Sequence, residues 1–278
     1  MNELVAYKSL VVSLFLLGFF LAERLAPAVP VPTPLKKAPR LLKNLGLWGC
    51  NLVVSLLIVL PVTLLAATHS QPWWSPPPPA WFRLLIALLL LDLWIYWWHR
   101  ASHRIGFLWR FHRVHHLDQW LDVTSAVRFH FGEVILSALI RAVVIFCFAL
   151  PLASVIVFET LVLIVTAFHH SNMRLPKSLE RVLSYLVITP SIHWVHHHVT
   201  QPDTDSNYGT LFSFWDRLFG SRSNTRRTPE MAIGLDNFHD RGFWQLLAAP
   251  FQVVPVRQCI QATPQSGEQR GDGSNKTP

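Results

Sequence analysis

Residues 80–116 read AWFRLLIALLLLDLWIYWWHRASHRIGFLWRFHRVHH, and two patterns in this stretch decide the class of fold. From Ala80 to Trp98 it is an apolar run long enough to cross a bilayer. The run ends directly in His99-x-x-x-His103, followed by His112-x-x-His115-His116. Spacings of three and four put helical side chains on one face, so each group can aim two or three imidazoles at one point. Downstream, His193-x-x-His196-His197 repeats the pattern. Eight histidines in three tight clusters, the first at the end of a span, make the arrangement of a multi-histidine metal site at a membrane surface.

Outward from this stretch, 51% of the chain is apolar, only 14% is charged, and the mean hydropathy is +0.32. That balance belongs to an integral membrane protein. Further apolar runs cover Ser9–Leu21, Leu47–Ala67, Val134–Leu150 and Leu152–Phe168, the last two parted by Pro151. The first run continues into Glu23, Arg24 and a Pro-rich stretch, so it reads as a retained span. Five crossings, or three plus a re-entrant hairpin, fit these runs equally well. Arg24, Lys36, Lys37, Arg40 and Lys43 follow the first run, whereas His69–Pro79 carries no Lys or Arg. By the positive-inside rule the first of these loops is cytoplasmic. Alternation then brings Arg100–Arg113 to the cytoplasm, sends Pro151 to the far side, and returns Arg174, Lys177 and Arg181. All three histidine clusters land on the cytoplasmic side. The net charge of +8 reflects such loops facing anionic lipid and calls for no nucleic acid partner.

The expected organisation is an all-α, polytopic membrane helical bundle with a cytoplasmic helical cap holding a histidine-rich di-metal site. Residues 1–80 hold N-terminal transmembrane helices and a Pro-rich connector, Ala26–Pro39, that cannot be a regular helix. Residues 81–256 form the histidine-box domain and 257–278 a disordered tail. Pro76–Pro79 make a stiff outer loop. Cys50, Cys147 and Cys259 are scattered and form no disulfide framework. Trp94, Trp97, Trp98, Trp109 and Trp120 read as an interfacial aromatic belt. Arg141 and Glu159 stand at similar depths on either side of Pro151 and should pair.

Eight neutral imidazoles exceed the needs of one ion, while two ions taking about four nitrogens each would use them all. Imidazole suits iron, zinc and copper alike, so ligand type does not choose the metal. A haem site would need axial histidines on separate membrane helices. Asp92 lies two helical turns below His99, with Tyr96 between them. It would either fix the tautomer of a ligating histidine or bridge helices as a polar contact. His69 and His239 stand outside any cluster and read as surface residues; His169 and His198 are neighbours of the clusters that face solvent or pair with a supporting group.

The three boxes, in order and interval, resemble those of the fatty acid hydroxylase and sterol desaturase superfamily of membrane non-haem di-iron enzymes. Asp92-x-x-x-Tyr96-x-x-His99-Arg100, Arg128-Phe129-His130-x-x-Glu133, His170-Ser171-Asn172, Asn207-Tyr208-Gly209 and Trp215-Asp216-Arg217-Leu218-Phe219-Gly220 also look like its pattern. The resemblance covers about Leu84 to Gly220, and departs from many relatives in having Phe131 after His130. It implies oxidation of a lipid C–H bond (hydroxylation or desaturation) with O2 as co-substrate and two Fe ions as cofactor, zinc being able to take the same ligands. The implied ligands are His99, His103, His112, His115, His116, His193, His196 and His197, with His170 and His130 added by family position. Asp92, Tyr96 and Asn207 would support them. No fused cytochrome b5 module is present, so a separate electron donor (cytochrome b5, ferredoxin or a reductase) is implied, beside a lipid substrate drawn from the membrane. The short chain without sorting signals points to a bacterial inner membrane rather than endoplasmic reticulum. Two rival readings remain, a histidine-rich metal transporter and a non-catalytic lipid- or metal-binding scaffold.

Overall fold

The computed structural model of the chain describes residues 2–30, 37–236 and 240–252. Among the described residues there are helices and turns but no strand, only isolated bridges such as Val187 with Phe212. His239, Cys259 and the tail 257–278 lie outside the described residues. The chain runs through α1 (Asn2–Leu25), α2 (Lys37–Val54), α3 (Leu60–His69), α4 (Ala80–Arg104), α5 (Gly106–His116), α6 (Phe131–Cys147) and α7 (Leu152–His170). Shorter helices follow: α8 (Lys177–Leu183), α9 (Pro190–His196), α10 (Gln201–Thr204), α11 (Phe214–Leu218) and α12 (Phe243–Ala248).

Among the described residues, three helices are long and apolar enough to cross a membrane: Pro39–His69, Ala80–Arg104 and Leu152–His170. The first joins α2 to α3 through a wide π-turn, Ser55–Val59. Pro61 follows at once in the first turn of α3. Proline has no N–H to give to the preceding turn, and a widened turn there lets the helix continue without a break. α2 begins at Lys37, so the irregular connector ends earlier than the expected Pro39. A proline in the first turn is tolerated because amides there have no partner inside the helix.

The spans pack around Ala66, Ala87, Leu91, Ile145, Val155 and Phe158, with α1 along α7 and α3 along α6. Small residues at Ala66, Ala87 and Ala142 allow close approach where lipid supplies no hydrophobic drive between helices. Arg141 meets Glu159 at 3.2 Å, and Lys8 of α1 joins the same carboxylate at 2.9 Å. The pair expected on either side of Pro151 is thus a triad joining three helices.

Ile105 takes an extended conformation, ends α4 and turns the chain into α5, so the first two histidine boxes face one another across one sharp bend. The segment after α5 is anchored to α2 by Arg40. Its guanidinium donates to Asp118 (2.7 and 2.8 Å), to Asp122 (2.7 Å) and to the Trp120 carbonyl (2.7 Å). This pairing holds the Asp118 carboxyl down at about 2 despite its burial. The aromatic belt is smaller than expected. Trp120 is buried at 5.7 Å from Trp194, and Trp109 packs 5.0 Å from His103, because both belong to the cap and not to a span. His69 is at the surface, bonded to the Leu65 carbonyl at the end of α3.

Candidate metal centre

Two groups of histidines converge in the interior. The first contains His99 and His103 from α4, His112 and His116 from α5, and His196 from α9; the second contains His115, His170, His193 and His197. Within each group one nitrogen per residue lies within 4.8 Å of all the others. Helical periodicity explains the sorting. In His112-x-x-His115-His116 the first and last residues are one turn apart and share a face, and both enter the first group; His115 is rotated away and enters the second. In His193-x-x-His196-His197 the assignment reverses, with His193 and His197 in the second group and His196 in the first. The second and third boxes therefore serve both groups, whereas His99 and His103 serve the first alone; the groups lie side by side with His116 stacked on His197 at 4.3 Å.

In the second group the Nε2 atoms of His115 and His170 are 3.1 Å apart, those of His170 and His193 3.0 Å, and those of His193 and His197 3.1 Å. An ion with bonds of about 2.1 Å spaces neighbouring nitrogens about 3.0–3.4 Å apart at octahedral or tetrahedral angles. The nitrogens present fit that spacing.

The other ring nitrogens explain how the imidazoles are aimed. His99 Nδ1 is 2.9 Å from the Tyr208 carbonyl, His196 Nδ1 2.7 Å from that of Ser206, His170 Nδ1 2.8 Å from that of Thr166, and His115 Nδ1 3.2 Å from that of Arg128. A carbonyl can only accept, so each Nδ1 carries the proton and Nε2 keeps its lone pair toward the group. His112 Nδ1 makes the equivalent bond to Glu133 Oε1 at 2.7 Å. The Nε2 atoms of His99, His103, His112, His116 and His196 are buried without a hydrogen-bond partner. Such atoms are costly unless something binds them. Burial also holds His115, His116, His193 and His197 well below the ordinary imidazole range. His196 is pushed down to about 3, again by burial, partly offset by its bond to Ser206. These are neutral imidazoles with inward lone pairs, the state that metal ligation requires.

The eight box residues and His170 all fall within the two groups. His130 does not. Its Nδ1 accepts the Gly132 amide at 3.0 Å, capping α6, and its Nε2 lies 3.1 Å from the Leu247 carbonyl, so neither nitrogen is left for an ion. Asp92 touches no histidine. It accepts the Leu211 and Phe212 amides (3.0 Å each) and the Trp215 indole N–H (2.8 Å), which is the polar bridge of its two expected roles. Tyr96 shares a hydrogen bond with Ser221 at 2.7 Å and accepts one from Arg100 at 3.0 Å. Asn207 has a φ of 53°, a left-handed conformation that asparagine tolerates better than most residues. Its amide fixes the turn through Ile192 O (3.3 Å) and Ser223 N (3.0 Å), and the turn presents the Ser206 and Tyr208 carbonyls to two histidines.

Several supporting residues stood in the sequence only as members of the family-like motifs, with no role attached. Glu133 stands three residues after His130. Asp216 accepts the Tyr208 and Gly209 amides at 2.7 and 2.9 Å and so holds the same turn. A Cβ on Gly209 would come within 2.8 Å of Asp216, Ile188 and the Phe212 carbonyl. The carbonyl acceptors could not be seen in a sequence at all, because every residue has one. His169 is buried 4.0 Å from the His193 ring but belongs to neither group, and His198 pairs with Asp203 at 2.8 Å.

Residues 84–221 match the family model described as fatty acid hydroxylase. An ornithine lipid hydroxylase from Rhizobium tropici is 26% identical over 196 residues, covering 70% of this chain and 58% of that protein. A cholesterol 25-hydroxylase from Rattus norvegicus is 25% identical over 249 residues, 82% of this chain and 78% of that protein. An alkylglycerol monooxygenase from Danio rerio is 32% identical over 176 residues, 61% of this chain but 36% of that protein. This chain thus spans little more than half of the first of these relatives and about a third of the last. No solved structure matches significantly.

Proposed function

From the membership of this chain in the fatty acid hydroxylase and sterol desaturase superfamily, we propose that it is a membrane-bound oxidoreductase that uses two irons and O2 to hydroxylate or desaturate a lipid. The observation that carries this reading is the division of nine buried histidines into one group of five and one of four. Two neighbouring groups of nitrogens suit two ions, and neither group contains a carboxylate or thiolate.

His99, His103, His112, His116 and His196 would hold one ion, and His115, His170, His193 and His197 the other. When bound, the iron pair supplies the reduction of O2 that attack on an unactivated C–H bond requires. The protein's share is positional. Glu133 and the carbonyls of Ser206, Tyr208, Arg128 and Thr166 fix tautomer and ring direction, so the ligand set is organised before an ion arrives. Burial of the ligand rings keeps bulk water from the centre, which limits loss of oxidising equivalents to solvent.

The likeness to two hydroxylases and a monooxygenase favours insertion of an oxygen atom over removal of hydrogen. Electrons would come from a separate donor, either cytochrome b5, a ferredoxin or a reductase. Arg174, Lys177 and Arg181, next to the end of α7, support a cytoplasmic position for the centre. The transporter reading is less favoured, since the groups sit at the ends of spans and not near mid-helix.

Expression of the wild type beside His196→Ala, followed by comparison of membrane lipids by mass spectrometry, tests the proposal. The expected outcome is a lipid gaining one oxygen atom, or losing two hydrogens, with the wild type alone. The same product with both proteins would overturn it.

A further inference from the structure

Asp92 sits at the middle of α4, which runs from Ala80 to Arg104. A helical crossing of the hydrocarbon takes about 20 residues. Any such window within α4 leaves Asp92 about seven or more residues, or about 10 Å, from either boundary. Yet the partners of Asp92 are the Leu211 and Phe212 amides and the Trp215 side chain, all from irregular chain and the short α11. Part of the cap therefore reaches down beside α4 to bilayer depth.

Two independent features of that part suit lipid. The first is its surface. Leu179, Val182 and Leu183 share one face of α8, at the spacing of an amphipathic stripe, and Leu186 follows in the turn after it. Val182, Tyr185 and Leu218 are 67%, 67% and 66% exposed. The apolar face continues through Phe219, 5.0 Å from Trp97, onto the outer side of α4. Lys177 and Arg181 stand exposed on α8, while its acid, Glu180, is bonded to Thr189. An apolar face edged by cations matches a leaflet with anionic headgroups.

The second feature is its backbone. Non-helical chain survives at membrane depth only where its polar groups are satisfied within the protein. Here Asp92 takes the Leu211 and Phe212 amides, and Asp216 those of Tyr208 and Gly209. Ile188 N donates to Leu211 O (3.2 Å) and Ser213 N to Leu186 O (3.0 Å). Arg217 covers the Tyr185 carbonyl.

We propose that α8 and α11, with the chain around them, form a platform embedded in the leaflet that bears the metal centre, and that the partner of this face is the bilayer itself. The inference rests on α4 crossing the membrane and stands whether or not the centre is catalytic. Its test is the full chain in liposomes, with Cys50, Cys147 and Cys259 replaced by serine and an environment-sensitive fluorophore at Val182→Cys, Tyr185→Cys or Leu218→Cys. Glu230→Cys, in an exposed polar stretch, is the reference. Nitroxide-labelled lipids should quench the three platform sites several-fold more than iodide does, and the reference should show the reverse. Iodide quenching at the platform equal to that at Glu230→Cys would overturn the proposal, as would quenching by neither agent, which would mean protein covers the face. Three positions read the same surface, so misfolding of one variant, detected by loss of metal content, leaves the other two to decide.

Discussion

Glu133 offers a selective perturbation of the metal centre, because it supports one group of histidines and not the other. It lies in the first turn of α6, 6% exposed, with Oε1 2.7 Å from His112 Nδ1 and Oε2 without a partner. Glu133→Ala leaves a buried N–H unsatisfied, a loss of about 1–3 kcal/mol, and frees the ring to rotate. Removing such a supporting partner weakens metal binding by about 10- to 100-fold, equivalent to about 1.4–2.7 kcal/mol. Glu133→Gln keeps an oxygen that can accept but removes the charge, so its effect should sit near the lower end. Chelator competition on the purified protein, followed as stepwise metal release, is the assay. One of two ions should become easier to remove, while the other, held by His115, His170, His193 and His197, keeps the affinity of the parent. Unchanged release in Glu133→Ala, or equal weakening of both ions with helicity intact, would refute this reasoning.

Other expectations follow from the same geometry. His130→Ala should keep both ions and lose about 1 kcal/mol of stability, the usual value of a helix cap, as read by thermal unfolding and elemental analysis. Gly209→Ala should lower the melting temperature and the metal content together, since its Cβ meets backbone and Asp216 at 2.8 Å and overpacking destabilises by about 1–3 kcal/mol; normal values for both would contradict the role given to the 206–209 turn. The metal-free protein should lose stability as pH falls. The folded state holds the His196 imidazole down to about 3, against an unfolded value of about 6.5, so between these values the unfolded chain binds the extra proton. Stability is therefore fully present above pH 6.5 or so and declines toward pH 3, and denaturant titrations at several pH values would detect a flat profile if the histidines were solvated instead.

Much of this was legible in the sequence because histidine at helical spacing is a local signal. Two boxes on consecutive helices and a third on α9 needed only the period of the helix to be aimed inward. The sorting into groups was not legible, because it depends on which face of α5 meets α4 and which meets α7. His170 and His130 both rested on family position without a tight spacing of their own, His170 having the further cue of its place at the end of a span; tertiary placement separates them fully, since His170 ends a helix beside α9 whereas His130 caps one. The Arg141 and Glu159 pairing followed from the scarcity of charge within spans. Asp92 showed the limit of a one-helix argument. Two turns below His99, it faces a loop from more than a hundred residues later in the chain, and no periodicity reports such a neighbour. The carbonyl acceptors of Tyr208 and Ser206 are hidden for a simpler reason, since they are backbone groups selected by the turn at Asn207.

The central claim is that the two histidine groups each hold one iron. The most direct test is the metal content of the detergent-purified protein after anaerobic iron reconstitution, for the wild type beside His196→Ala and His193→Ala. The account expects about two irons per chain in the wild type, with one ion weakened or lost in each variant, a different one in each case. No bound iron in a folded wild type, or full content in both variants, would contradict it.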